Sequence, residues 1–149
     1  MALTIEQTIL KNLIQNEEFI RKTLPFIKEE FFQERQEQYL FREIKEYFMK
    51  YSAGPTSEAL LITIDEKDNI DSQLMGDISN LLKIVGDDTE KTPYDWLLDT
   101  SEEWCKDRAI YIAIVEGVEI IEGRDKEKTP DAIPDILTDA LAVSFDNSV

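Results

Sequence analysis

Apolar positions along this chain fall three and four residues apart from near its first residue to near its last. That period marks one face of a helix. Thr4 followed three residues on by Gln7 forms a capping box, and Ile5, Ile9, Leu13 and Ile14 then trace one face. A short helical stretch over Glu17–Leu24 ends near Pro25. Phe31 and Phe32 precede the strongest periodic run of the front half, Leu40, Ile44, Tyr47, Phe48 and Tyr51, which Ser52-Ala-Gly-Pro55 breaks. Thr56 or Ser57 caps the next helix, with Ala59, Leu60, Ile62 and Ile64. After the charged turn Asp65–Asn69 another follows, with Leu74, Ile78, Leu81, Leu82 and Val85, and Gly86 stands where a C-terminal cap is expected.

The rear of the chain is organised differently. Thr92-Pro93 is a helix-start signal, and the segment from Pro93 to about Gly123 predicts a helix of roughly thirty residues, about 45 Å long. Within it Ile110–Val115 is rich in β-branched residues and resembles a buried strand. The helix is preferred because nothing else reads as a strand that could pair with it. Two faces are apolar: Trp104, Arg108, Tyr111, Ile112, Val115 and Glu119 step along one, and Ile110, Ile114, Val118 and Ile121 along another. A surface that wide implies burial on two sides, and Gly117 suggests a close helix crossing. A short charged connector leads to Thr129-Pro130, a second cap-then-proline start. Ile133, Ile136, Leu137, Ala140, Leu141 and then Ser144 mark the face of the last helix. The expected architecture is all-α: a helical head over residues 1–90, then an antiparallel two-helix hairpin over 93–146.

Charge sharpens this division. The net charge is −16, yet residues 1–52 carry eight Lys/Arg against nine Asp/Glu, whereas residues 53–149 carry eight against twenty-three. An acidic field of that size opposes binding to phosphate backbones and favours basic partners. Hydrophobic content of 42% and a length of 149 residues suit one soluble globular chain with a real core. No apolar run reaches the ~18 residues of a membrane span, so a cytoplasmic setting is expected. The lone Cys105 has no intramolecular partner and reads as a buried thiol.

Candidate chemistry is sparse. With no histidine, the commonest general base and metal ligand is missing. Glu116, Glu119 and Glu122 share helical spacing and read as water-facing rather than as a metal site. Asp65, Asp68 and Asp71 lack the glycine and closing glutamate of a calcium loop. Gly86–Thr92 has too few glycines and too many carboxylates for a phosphate loop. Phe31, Phe32, Tyr39, Phe41, Tyr47, Phe48 and Tyr51 interleave with Arg35, Arg42, Lys45 and Lys50, a mixture that could stack bases. Their core-like spacing and the intervening Glu34, Glu37, Glu43 and Glu46 favour packing. No catalytic residue, cofactor or metal is assigned to the chain.

The residues carry one specific resemblance. Ala132-Ile-Pro-Asp-Ile-Leu137 followed by Ala140-Leu-Ala-Val-Ser-Phe-Asp146 resembles the segment that precedes the motor in DnaB-type hexameric replicative helicases, in the branch of the T-even-like phages. Ile9–Leu13, Phe32 with Tyr39-Leu-Phe-Arg-Glu-Ile44, Pro55-Thr-Ser-Glu-Ala-Leu60 and Arg108-Ala109 are similar to the same family's N-terminal domain. The resemblance implies a head and hairpin whose hairpins pair into dimers, three dimers forming a collar above an ATP-driven 5′→3′ motor. It also implies contacts with primase and a helicase loader, and little direct DNA binding. ATP and magnesium would belong to the motor, whose phosphate loop these residues lack, so the chain is expected to be a non-enzymatic fragment. The expected interface comprises Trp104, Arg108, Tyr111, Ile112, Val115, Val118 and Ile121, with Ile133, Ile136, Leu137 and Leu141 from the return helix. The alternative is a stand-alone acidic phage protein that mimics nucleic acid and inhibits a basic DNA-binding enzyme.

Overall fold

A computed structural model describes residues 2–146. Among them every regular element is helical: α1 (Ile5–Gln15), α2 (Glu17–Thr23), α3 (Arg35–Tyr51), α4 (Ser57–Asp65), α5 (Ser72–Asp87), α6 (Tyr94–Ile121) and α7 (Ile133–Leu141). Single 3-10 turns occupy Leu24–Phe26, Glu29–Phe31 and Pro130–Ala132. The all-α expectation holds, and Ile110–Val115 lies inside α6 rather than in a strand. The chain divides into two compact units, Met1–Leu98 and Asp99–Val149, the division falling within α6.

In the first unit, local capping decides where helices begin. Thr4 and Gln7 exchange the two bonds of the capping box, each 3.1 Å. Asn16 ends α1 and starts α2, its side chain accepting the Phe19 N–H at 3.0 Å. Thr56 caps α4 and Asp71 caps α5, accepting from Ala59 and Leu74 at 3.1 and 2.8 Å. α3 ends where the Ser52-Ala-Gly-Pro55 break is expected, with Ser52 as its cap at a φ of 56°, in the left-handed region. Its carbonyl accepts from the Arg21 guanidinium at 2.7 Å, which helps hold that conformation. Gly86 does not end α5: the helix continues through it to Asp87. A Cβ there would come 3.2 Å from the Ser57 hydroxyl at the start of α4, a tight approach that glycine avoids.

The core of this unit forms where α1, α3 and α5 pack on one another, with α2 and α4 against them. Ile9, Leu13, Phe19, Phe32, Leu40 and Ile44 are essentially inaccessible to water. Aromatic residues fall on both sides of that boundary. Phe31, Phe32, Tyr39 and Phe41 are buried, whereas Tyr47 and Phe48 are half-buried and Tyr51 is exposed. The loop after α5 is tied back to α1 by side chains. Buried Lys11 donates to Asp88 at 2.9 Å and to the Glu90 carbonyl at 2.6 Å, and Asn12 donates to the Thr92 hydroxyl at 3.0 Å. Gln15 adds bonds to the Val85 and Asp88 carbonyls. These contacts place the first turn of α6 on this unit, with Trp96 half in water.

In the second unit α6 ends in a Schellman turn. Gly123, at φ 77°, donates to Ile120 O at 3.1 Å, and Arg124 donates to Glu119 O at 2.9 Å. Thr129 does not act as the expected cap. Its hydroxyl donates to Asp131, Pro130 opens a 3-10 turn, and α7 starts only at Ile133. The last helix is also shorter than its apolar spacing suggests, ending at Leu141. Ser144 and Phe145 follow in irregular chain, where the Phe145 N–H donates to the Glu102 carboxylate at 2.6 Å and the ring is buried. Ile133 faces Gly117, but a Cβ there would sit at an ordinary 3.7 Å, so the contact does not demand glycine. Ser101, Trp104, Cys105, Ala113, Ile120 and Ala140 complete the buried set.

Candidate functional site

α6 is apolar on more of its circumference than its own unit covers. The side turned inward presents Trp104, Cys105, Ala113, Gly117 and Ile120. Tyr111, Ile114, Val115, Val118 and Ile121 instead lie 40% to 69% exposed. They recur at three- and four-residue steps and form one stripe. The two faces therefore divide otherwise than spacing alone suggests: Ile114 joins Val115, and Trp104 turns inward. Small Ala113 and Gly117 occupy the inward side with Ile120, and the bulky Ile114, Val115, Val118 and Ile121 lie outside.

The other residues of the expected interface spread across both environments. Arg108 and Ile112 are half-buried, as are Ile133, Ile136 and Leu137 on the return segment, while Leu141 is exposed. The Arg108 guanidinium lies 4.9 Å from the centre of the Tyr111 ring, holding that ring at the edge of the stripe. Ile114 is the residue that sequence reasoning left out of the set. Its signal was present, since Ile114, Val118 and Ile121 share one helical register.

Charge borders the stripe. Glu116 binds Lys128 at 2.9 Å, which raises the lysine pKa, and Glu122 pairs with Arg124 at 3.1 Å. Glu116, Glu119 and Glu122 do not converge, and no group of three His, Cys, Asp or Glu side chains suited to a metal ion occurs among the described residues. Asp71 is occupied with capping α5 and with Arg35, 2.9 Å away. Burial, reinforced by the charge of Glu102, pushes the Cys105 thiol up to about 12. The thiolate needed for nucleophilic or metal chemistry is thereby suppressed. No helix among the described residues is long and apolar enough to cross a membrane. What the arrangement offers is desolvation: covering the stripe would remove apolar surface from water at about 25 cal/mol per Å².

No protein-family model matches the chain. One relative does: the DnaB-like replicative helicase of Enterobacteria phage T4 is 27% identical over 96% of this chain, which spans 31% of that protein's length. Over nearly its whole length, then, the chain is similar to a DnaB-like replicative helicase, the family its motifs resemble.

Proposed function

We propose that this chain is the assembly domain of a phage replicative helicase, pairing subunits into dimers that build a hexameric collar. The uncovered stripe on α6 carries the reading, because an amphipathic helix with a second apolar face has that face free for another chain. The match along nearly the whole chain to part of the phage T4 helicase supports the same assignment. In this reading α6 and the return segment through α7 act as a hairpin arm, over about residues 93–146, and residues 1–90 as a head. Primase and a loader dock on the collar. ATP-driven 5′→3′ unwinding belongs to a motor whose phosphate loop is absent from these residues, so the chain needs no cofactor and contributes position rather than catalysis.

Light scattering across a concentration series tests this. The wild-type mass should rise from 17.3 kDa toward twice that value, and Val115→Asp should hold it at the monomer. A wild-type chain that stays monomeric at every concentration overturns the assignment, as does ATP hydrolysis by the pure chain. The alternative reading as a nucleic-acid mimic leaves the apolar stripe without a use and is not adopted.

A further inference from the structure

The first unit carries a second uncovered surface, unrelated to the α6 stripe. A groove of about 550 Å³ runs along α3, a volume within the usual range for a binding pocket. Its sides are two adjacent rows at four-residue steps: Phe41, Lys45 and Met49 in one, and Arg42, Glu46 and Lys50 in the other. A furrow between two such rows is the shape that receives the side-chain ridge of another helix. Phe41 forms a buried floor against the Phe32 ring, their centroids 5.3 Å apart. Met49 stands 72% exposed, the most exposed large apolar side chain among the described residues. Its flexible thioether can mould to an incoming apolar group.

The charges on the rim are not balanced. Arg42 is neutralised by Glu29 through two bonds of 2.7 Å and lies 5.4 Å from the centre of the Tyr39 ring, so it makes a fixed wall. Glu46 lies 3.9 Å from Lys67, which Glu43 holds more closely at 3.4 Å, so Glu46 stays a carboxylate on the rim. Lys45 and Lys50 form no ion pair among the described residues, and Lys50 rests over the Tyr51 ring at 5.3 Å. The groove lining thus carries three cations, Arg42, Lys45 and Lys50, against two carboxylates, Glu29 and Glu46, and is net basic beside an apolar floor, on a chain whose net charge is −16.

We propose that the α3 groove docks an acidic amphipathic helix of a partner protein. A large apolar residue of that helix would cover Met49 and Phe41, and carboxylates about one turn to either side would meet Lys45 and Lys50. Nucleic acid fits less well: two lysines are few against a phosphate backbone, and the acidic remainder of the chain repels it. The proposal is independent of the collar reading, since it uses a different face of a different unit.

The chain has three methionines, so labelled methionine methyl groups give a sparse NMR spectrum in which Met49 reports the groove and Met75 serves as a control. The probe is a synthetic helix with leucines at three- and four-residue spacing and glutamate elsewhere. Titrating it into the full chain should shift the Met49 methyl saturably and leave Met75 in place. Lys45→Glu combined with Lys50→Glu should weaken binding about tenfold while leaving self-association unchanged. Met49→Gln, read through backbone amides of α3, should weaken it as well. Equal binding of a matched leucine–lysine helix overturns the proposal, as does stronger binding of single-stranded oligonucleotide at the same methyl. A Met49 signal that moves with protein concentration alone also overturns it, because a second copy then fills the groove.

Discussion

The two units differ in how much of their apolar surface they enclose by themselves. The first closes five helices and the start of a sixth around Phe19, Phe32, Leu40 and Ile44, and ties its last loop down through Lys11, Asn12 and Gln15. The second has one long helix and a short return segment, too few elements to cover a helix that is apolar on several sides. A unit that completes its own core can fold without help. One that leaves Val118 and Ile121 in water keeps apolar surface that the proposed pairing would cover.

The contrast can be broken directly. Truncating Phe32 to alanine should cost about 3–5 kcal/mol, because the ring is fully buried against Phe41. Val118→Asp should change the stability of the isolated monomer by no more than about 1 kcal/mol, the scale of helix propensity, while removing self-association. Comparable losses in denaturant melts of the two variants would mean that the α6 stripe is core and that the contrast is false.

A smaller effect separates the units by pH. Glu37 at the start of α3 is buried, and desolvation, aided by the charges of Glu6 and Glu34, raises its carboxyl from 4.5 to about 7. A group with a raised folded-state pKa favours the fold while protonated, so its contribution is complete below about 4.5 and fades as pH climbs through about 7. Glu37→Gln keeps an acceptor for the Glu34 N–H and should melt several degrees higher than wild type above that range, yet match it in acid. An unchanged pH profile in calorimetry would show that the carboxyl is not held in a desolvated site.

Finer still are the glycines of the second unit. Gly123→Ala should destabilise it by about 1 kcal/mol, since the Schellman turn needs a positive φ. Gly117→Ala should stabilise it by roughly 0.5–1 kcal/mol, through better helix propensity and an ordinary contact with Ile133. At the lower limit, Cys105 should resist alkylation at neutral pH for as long as the unit stays folded, and rapid modification of native protein would contradict its burial.

How much of this was legible beforehand follows from where each signal resides. The capping box at Thr4 and the cap at Thr56 are local, and local chemistry decided them. Thr129 offers the same letters, but Asp131 takes its hydroxyl and the helix starts later. Gly86 looks like a helix end until its approach to Ser57 is known, a contact between distant residues. Periodicity could not choose the inward side of α6, because a helix apolar on several sides has no single preferred direction. Phe145 follows a helix that has already ended, and its place depends on a bond to Glu102 far back in the chain. The α3 groove was half visible: Lys45 and Lys50 stood out among the aromatics, but which cations remain unpaired is a property of the fold.

The two tryptophans have a practical consequence. Trp96 belongs to the first unit and is 52% exposed, whereas Trp104 belongs to the second and is only 8% exposed. The molecule thus contains two intrinsic optical reporters, one emitting from water and the other from an apolar interior. With Trp96 replaced by phenylalanine, the remaining emission follows the second unit alone through unfolding or assembly, with no added dye.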